Sequence, residues 1–537
     1  MTLALWCPIR ASRQGNPPSL TQKDTNPLCN PCMSLNYNFI WLLCYLLVLV
    51  GLAGYCFHRL SIVYLYWKNR NNKPQPKARF QELPVVTVQL PMFNEKFVVD
   101  RLLESVAALD YPQDKLEIQI LDDSTDDTTE QCYRKVEELK SRGFDAVCIH
   151  RTDRTGFKAG ALEAATKVAK GEFLLILDAD FVPEPDLLQK TIHFFTDENV
   201  GLVQTRWGHI NREYNLLTRI QGMYLDGHFA MEQTARNRSG RFFTFNGTAG
   251  IWRKCVIGDA GGWSHDTLTE DMDLSYRVQL KGWRFIYLND VVTPAELPVD
   301  MDGFKSQQHR WTKGSIQVCQ KILLDIWRSN APLKAKVEAT THLTCNYSYL
   351  LLALLCFLVY PICTQRIPEN ETVFMWFVNV ALFFMTSVAV CIFYMSAQIV
   401  VRPKSWWKEL PYLPLLLTLS VGMAVNNAKA VLEAIFGHQS AFVRTPKYGV
   451  DRKEDRRHVS QLKRNGYRAI KSVVIPVLEI ACGTFFLNLI IIMIRQGHYL
   501  SPILMIPFLG FYYTGFCSLG RMISNLLPAK QTAKAKN

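Results

Sequence analysis

The 537-residue chain lacks the cysteine spacings that mark a disulfide framework or a zinc module, although it contains 15 cysteines. Cys29 and Cys32 form a lone C-x-x-C pair without a second ligand pair, so structural zinc is not expected. Nucleic-acid-binding motifs are also lacking. The net charge of +13, from 60 basic and 47 acidic residues, is therefore attributed to basic segments beside apolar runs, as membrane topology and anionic headgroups favour.

The N-terminus lacks a charged segment followed at once by an apolar core and a small-residue cleavage site, so a cleaved signal peptide is not expected. Residues 1–32 show no hydrophobic periodicity and contain several prolines. We expect residues 1–37 to be a disordered tail, and a start at Met33 to cost the protein little.

Long apolar runs are abundant. Residues 39–57 suffice to cross a bilayer, which takes about 20 apolar residues, and the basic residues that follow favour the cytosol. The segment 411–437 has two early prolines and two central asparagines, which indicates an interfacial or re-entrant segment. We expect about five spans, with six as the alternative. The four further candidate spans are 346–362, 373–399, 472–495 and 501–526.

The hydrophilic region between the first and the later apolar runs, roughly 75–335, alternates short apolar runs with helical patterns. This alternation predicts a largely parallel sheet sandwiched by helices. The strand-like runs are 85–90, 117–121, 146–150, 173–177 and 200–205.

Carboxylates follow two of these predicted strands. Asp122 and Asp123 come after the run at 117–121, and Asp178 and Asp180 come after the run at 173–177. Ligands of open α/β sheets bind outside the carboxyl ends of the strands, and an Asp-x-Asp offers two hard oxygen ligands to Mg²⁺ or Mn²⁺. A single run of this kind is usually a solvated turn or helix cap, but two such runs, each after a predicted strand, favour a functional site.

Two further clusters contain chemistry-bearing side chains. The stretch "DTLTEDMDLSYR" places Glu270, Asp271 and Asp273 in the first turn of a predicted helix. They complement the helix dipole or provide a general base. In "SQQHRWTKGS", the guanidinium of Arg310 suits phosphate and the indole of Trp311 suits a pyranose face; the alternative is a cation–π contact at a membrane-facing surface.

The order Asp–Asp, D-x-D, T-E-D, Q-x-x-R-W, with apolar runs before and after it, resembles the processive glycosyltransferase family 2 enzymes, which include cellulose, chitin, hyaluronan and mannan synthases. Runs such as "QILDDSTDDT", "RTGFKAGALEAA" and "FNGTAGIWR" resemble the plant cellulose-synthase-like A and C proteins, densely over about 80–320. The resemblance implies an α/β, Rossmann-like GT-A domain on the cytosolic side, inserted between transmembrane helices.

The resemblance also assigns roles along the chain. It implies that Asp271 is the catalytic base and that Asp178 and Asp180 hold Mg²⁺ or Mn²⁺ on the diphosphate. Contacts to the nucleotide sugar are implied for Glu95, Asp122, Asp123, Lys158, Gln307 and Arg310. Contacts to the acceptor are implied for Trp311, Asn246 and Glu270. The stretch "FVRTPK", 442–447, is similar to the gating loop of cellulose synthases, with Arg444 in place of their valine.

These expectations give a domain plan for the chain. It has a tail (1–37), a first transmembrane helix (38–67), the GT-A domain (75–335), transmembrane and interfacial helices (340–437), a cytosolic gating-type loop (438–471), a transmembrane helix pair (472–527) and a basic cytosolic tail (528–537).

The implied activity is that of an inverting enzyme that polymerises a β-linked glycan, a β-1,4 glucan or (gluco)mannan, from UDP-glucose or GDP-mannose and helps to translocate it. Its partners are the growing glycan and the bilayer of a plasma, inner or Golgi membrane, with no nucleic acid. The alternative is an enzyme that adds one sugar to ceramide or diacylglycerol. A transporter or receptor is disfavoured by the scarcity of charges within most spans and by the intact carboxylate motifs.

Overall fold

The computed structural model describes residues 31–364, 386–439, 445–451, 455, 473–495 and 502–526. The chain divides into two units, Met1–Cys44 and Tyr45–Asn537. The described part of the first unit is the beginning of helix α1 (Pro31–Asn69), which continues into the second unit. Helix α1 therefore begins before the predicted span, and residues 1–30 of the predicted tail lie outside the described residues.

A seven-stranded sheet forms the centre of the hydrophilic region. Its strands are β1 (Val86–Met92), β2 (Leu116–Asp122), β3 (Asp145–His150), β4 (Phe173–Ile176), β5 (Val200–His209), β6 (Gly250–Arg253) and β7 (Arg284–Ala295). They are arranged in the order β3-β2-β1-β4-β6-β5-β7. The five predicted strand-like runs correspond to β1–β5.

The sheet is mixed, because β6 runs antiparallel to both of its neighbours, β4 and β5, while the other ladders are parallel. The sequence did not predict β6 or β7. Strand β6 is as short as β4, but its glycine and arginine leave only two apolar residues, so it shows neither an apolar run nor an alternation. In β7, the polar residues Asn289 and Asp290 interrupt the apolar run, and the pairing with β5 is irregular near this point.

Both faces of the sheet are buried, as β4 illustrates. Phe173 and Leu175 enter one hydrophobic core, and Leu174 and Ile176 enter the other, because successive side chains of a strand point to opposite faces. This confirms the prediction of a helix-covered sheet. The helices of this region are α2 (Val99–Ala107), α3 (Thr128–Ser141), α4 (Phe157–Val168), α5 (Leu187–Thr191), α6 (Leu216–Asp226), α7 (Thr234–Arg238), α8 (Lys254–Asp259), α9 (Glu270–Leu280) and α10 (Met301–Arg328).

The rest of the described chain is helical and largely apolar. It comprises α11 (Leu333–Thr344), α12 (Tyr347–Thr364), α13 (Thr386–Val401), α14 (Leu413–Gly422), α15 (Ala424–Ile435), α16 (Val474–Arg495) and α17 (Pro502–Leu526).

Among the described residues, two helices are long and apolar enough to cross a membrane, Ile40–Asn69 within α1 and α16. Two bent pairs raise this number to four if each is one span: α11 with α12, bent by 52°, and Trp406–Gly422 with α15, bent by 41°. The second bend falls in the segment predicted to be interfacial or re-entrant. The expected number of about five spans stays a prediction.

The core behind β6 offers a test of the packing. Trp252 is fully buried, and its indole makes edge-to-face contacts with Phe245 and Phe285 at centroid distances of 5.4 Å. We expect Trp252→Ala to cost about 3–5 kcal/mol of unfolding free energy, because it leaves a cavity in a close-packed core. Thermal unfolding of the whole chain in detergent measures this loss. Tyr133→Ala, at a 48% exposed position, is the control, and equal midpoints for the two variants would contradict the packing.

Candidate active site

A cavity opens at the carboxyl ends of the parallel strands, where the predicted carboxylates were expected. It is lined by residues at the ends of β1, β2 and β4, at the N-terminus of α9, on one face of α10 and around Lys447. The structure brings these predicted site residues together in it: Glu95, Asp123, Lys158, Asp178, Asp180, Asn246, Glu270, Asp271, Gln307, Arg310 and Trp311. Asp122 is the exception.

Asp122 is fully buried and serves the loop after β2. Its Oδ1 accepts from the backbone N–H of Ser124 at 3.0 Å. Its Oδ2 accepts from Thr129 Oγ1 at 2.7 Å and lies 2.7 Å from Nδ1 of His150. Its neighbour Asp123 faces the cavity instead. That carboxylate lines the cavity and accepts from Arg151, from Nε at 2.8 Å and from Nη2 at 2.6 Å.

Each carboxylate of the Asp-x-Asp pair faces an ammonium group. Lys158 Nζ donates to Asp178 Oδ1 at 2.5 Å, and Lys447 Nζ donates to Asp180 Oδ2 at 2.6 Å. Burial lowers the pKa of Lys158, but the carboxylates of Asp178 and Glu270 outweigh this effect and leave the pKa raised. The pKa of Lys447 is raised in the same way, against burial, chiefly by Asp180. Both lysines are therefore cationic.

The donor set around Asp178 and Asp180 decides how a metal ion would be held. Within the described residues, no group of three or more His, Cys, Asp or Glu side chains is placed to hold a metal ion. Two carboxylates supply hard oxygen ligands, and Mg²⁺ is commonly bound by one or two carboxylates together with water and substrate phosphates. The residues fit an ion that arrives with a phosphate ligand, rather than one bound by protein alone.

Asp271 lies in the first turn of α9, and its Oδ1 accepts from the backbone N–H of Met272 at 2.8 Å. Burial, together with the adjacent charge of Glu270, raises the pKa of Asp271 to about 7 against the opposing effects of Lys158 and Arg310. A carboxyl group with this pKa, facing a cavity, is suited to accept a proton near neutral pH.

The lack of a side chain at Gly247 leaves room for the carboxylate of Asp271. The glycine backbone has a φ of +82°, and a Cβ atom at this position would lie 3.0 Å from Asp271 Oδ2. The Gly247 carbonyl accepts from Lys158 Nζ at 2.9 Å. The glycine thus lets the loop approach both charged groups. The third acid of the cluster, Asp273, is fully buried and pairs with Arg277 at 2.7 Å, so its role is structural.

The side chain of Asn246 is oriented by a chain of hydrogen bonds. Gln233 Nε2 donates to the Thr244 carbonyl at 2.7 Å and to Asn246 Oδ1 at 2.6 Å. The amide nitrogen of Asn246 must then face Nε2 of His228, at 2.9 Å. Because Nε2 of His228 accepts this hydrogen bond, the imidazole proton lies on Nδ1, which donates to Glu232 Oε2 at 3.1 Å. The sequence did not predict this network, which is carried by a π-helical turn, Gly227–Gln233.

The segment 445–451 closes one side of the cavity, through Thr445 and Lys447. It is held by the buried carboxylate of Glu296, which accepts from the backbone N–H groups of Tyr448 at 2.9 Å and Val450 at 3.1 Å. Sequence reasoning did not find Glu296, whose contacts depend on the tertiary structure. Of the predicted gating motif, Arg444 lies outside the described residues.

Comparison with known proteins agrees with this geometry. Residues 84–314 match a family model described as glycosyltransferase like family 2. The chain is 42% identical over 286 residues to glucomannan 4-beta-mannosyltransferase 2 of Arabidopsis thaliana, a match that covers 50% of this chain and 53% of that protein. It is 41% identical over 277 residues to glucomannan 4-beta-mannosyltransferase 1 of Oryza sativa subsp. japonica, covering 51% and 53%. The chain thus spans about half the length of the curated relatives it matches.

Among solved structures, the mannosyltransferase PcManGT from Pyrobaculum calidifontis, determined in complex with GDP-Man and Mn²⁺, matches with a TM-score of 0.51. The identity is 19%, and the match covers 73% of this chain and 99% of that one. This likeness concerns the fold. Together with the family match, it confirms the predicted GT-A fold and the resemblance to family 2 over residues 84–314.

The Glu296 contacts predict how the segment 445–451 is retained. In Glu296→Gln, an amide NH₂ group replaces one acceptor oxygen and faces a backbone N–H. Hydrogen bonds to a charged group contribute about 1.5–3 kcal/mol each, so amide hydrogen exchange in 445–451 should accelerate about 10- to 100-fold. Mass spectrometry of the matching peptides measures this rate. Glu184→Gln, at an exposed position, is the control, and unchanged exchange in Glu296→Gln would show that other contacts hold the segment.

Proposed function

We propose that this chain, which carries a glycosyltransferase family 2 domain over residues 84–314, is a membrane-bound inverting mannosyltransferase that extends a β-linked mannan or glucomannan from a nucleotide sugar. The observation that carries the proposal is the position of Asp271. A carboxyl group with a pKa of about 7 shares one cavity with the Asp178–Asp180 pair, and Lys158 in the same cavity donates to Asp178.

The reaction joins an acceptor hydroxyl to the anomeric carbon of the donor sugar. The hydroxyl oxygen forms the new C–O bond, its proton passes to Asp271, and the bond between the anomeric carbon and the diphosphate breaks. Attack from the face opposite the leaving group converts an α linkage into a β linkage. The nucleoside diphosphate leaves with the bonding electron pair, and the charge it gains is stabilised by Lys158 and Arg310.

A divalent cation belongs to this scheme as a partner of Asp178 and Asp180, where it would add positive charge beside the diphosphate. The structure of the Pyrobaculum calidifontis mannosyltransferase contains Mn²⁺, and either Mg²⁺ or Mn²⁺ suits two carboxylate ligands completed by phosphate oxygens. The two lysines already paired with these carboxylates are consistent with a site that favours cations.

The acceptor side of the cavity is assigned to Trp311, Asn246 and Glu270. Trp311 packs beside Leu225, Phe229 and Leu297, so its indole forms part of a firm apolar platform of the kind that a pyranose face prefers. The oriented amide of Asn246 supplies a polar contact for a sugar hydroxyl. Asp123, rather than Asp122, is the carboxylate we assign to the nucleotide, with Glu95 and Gln307 completing that end of the cavity.

The donor we propose is GDP-mannose, with UDP-glucose as the second substrate to test. Both curated relatives are glucomannan 4-beta-mannosyltransferases, and the Pyrobaculum calidifontis structure contains GDP-Man. The apolar helices on both sides of the domain support a membrane location, with the domain in the cytosol and the polymer leaving through the bilayer.

The test is an assay of purified protein reconstituted into vesicles. We expect nucleotide release and a high-molecular-weight β-linked product from GDP-mannose with Mn²⁺ or Mg²⁺. Asp271→Asn should reduce the rate by about 10²–10⁴, the usual contribution of a general base, whereas Asp290→Asn, at an exposed position, should not. Nucleotide release that requires ceramide or diacylglycerol and yields a single-sugar product would instead identify a glycolipid-forming enzyme.

The pKa of Asp271 predicts a pH profile. As a base, Asp271 acts only when deprotonated, and its pKa is raised to about 7. The value of kcat/KM should therefore fall as the pH drops below about 7 and reach a plateau above it. The residual activity of Asp271→Asn should not show this fall at low pH. If the variant shows the same fall, another group is responsible for it.

A further inference from the structure

Helix α10 presents two sets of functional side chains on different faces. Gln307, Arg310 and Trp311 line the cavity. Three basic residues spaced by four positions, Lys305, His309 and Lys313, contact the apolar helices instead. At about 100° per residue, the centres of the two sets lie about 150° apart around the helix axis. The helix therefore joins the active site to the apolar part of the protein.

Lys305 is buried, and its ammonium group has three acceptors. Its Nζ lies 2.5 Å from Glu479 Oε2, 3.1 Å from the Thr514 carbonyl and 3.0 Å from Ser518 Oγ. Glu479 is completely buried in α16, one of the helices that is long and apolar enough to cross a membrane. An acidic residue in such a helix requires a partner, and here the partner comes from α10.

A second acid, Glu433 of α15, is held by the other two basic residues. Lys313 is fully buried, and its Nζ lies 3.1 Å from Glu433 Oε2. His309 Nε2 lies 3.1 Å from the same oxygen. Burial lowers the pKa of His309, so this contact is a hydrogen bond from a neutral imidazole. The Lys305 carbonyl also accepts from Asn426 of α15, at 3.2 Å.

These contacts fix how α10 is rotated. Apolar packing tolerates small rotations and slides, but a buried charge separated from its partner is strongly unfavourable. Turning α10 by one residue, about 100°, would separate Lys305 from Glu479 and Lys313 from Glu433. The same turn would remove Arg310 and Trp311 from the cavity.

We propose that Glu479 and Glu433 are positioning residues for the reaction: from the apolar helices α16 and α15, they hold α10 in the one setting that aims Gln307, Arg310 and Trp311 into the active site. This role rests on the proposed function for its catalytic consequence. The contacts themselves predict an effect on α10 that is measurable without activity.

The test replaces the first pair by apolar residues of similar size, Lys305→Met with Glu479→Leu, so that no charge is left buried alone. We expect a folded, inserted protein whose midpoint of thermal unfolding is close to that of the wild type. Its kcat should fall about 10- to 100-fold with little change in the KM of GDP-mannose, because small misplacements of transition-state contacts have effects of this size. Arg328→Met, which removes an exposed basic residue of the same helix, should leave kcat unchanged.

Hydrogen exchange of peptides covering residues 301–315 is measured in parallel. We expect exchange about tenfold faster in the double variant and unchanged in Arg328→Met. Wild-type kcat and exchange in a folded double variant would overturn the proposal. If that variant does not insert, Ser518→Ala removes one acceptor of Lys305 without unpairing a charge, and unchanged exchange there would overturn it equally. If exchange is faster in the double variant but the wild-type protein transfers no sugar, the effect on α10 stands and only the proposed function is refuted.

Discussion

The concentration of negative charge at the carboxyl ends of the strands is the constraint on which the rest of the structure depends. Asp123, Asp178, Asp180, Glu270 and Asp271 line one cavity. Partly desolvated carboxylates at such short range repel one another unless cations intervene. Cations come from Arg151 beside Asp123, Lys158 beside Asp178 and Lys447 beside Asp180. Asp271 lies next to Glu270 in the first turn of α9, and burial together with this adjacent charge raises its pKa to about 7.

This distribution separates two roles for acids of the same kind. The carboxylates next to lysine or arginine offer oxygen ligands beside cationic groups, an arrangement suited to a diphosphate and its cation. Asp271 lies beside another acid and is therefore suited to exchange a proton. The two roles lie within reach of one substrate because Lys158 contacts both Asp178 and the loop carbonyl of Gly247, the residue beside Asp271. In the proposed mechanism, one lysine thereby links the base to the end of the cavity assigned to the leaving group.

The sequence was sufficient for features that local patterns encode. Runs of apolar residues marked β1–β5, and carboxylates placed after β2 and β4 converge because the ends of parallel strands share one edge of a sheet. It could not separate Asp122 from Asp123, because adjacent strand-end residues point to opposite sides and only packing shows which side is open. It did not reveal Lys447 as the partner of Asp180, 267 positions away, or the orientation of Asn246 by a π-helical turn. Contacts between residues so far apart along the chain produce no periodic pattern in the sequence.

If the chain extends a polymer, as we propose, the position of the site next to apolar helices has a physical consequence. Each cycle must leave the growing end in register with the base, so the acceptor platform has to be fixed relative to the path by which the product leaves. Helix α10 meets this requirement, since it carries Trp311 on the cavity face and is tied to α15 and α16 through Glu433 and Glu479. Charge pairs suit this connection better than apolar contacts, because a buried pair is strongly favoured in one register only. Under the proposed mechanism, a single helix thus carries both Arg310, assigned to the transition state, and Trp311, assigned to the acceptor.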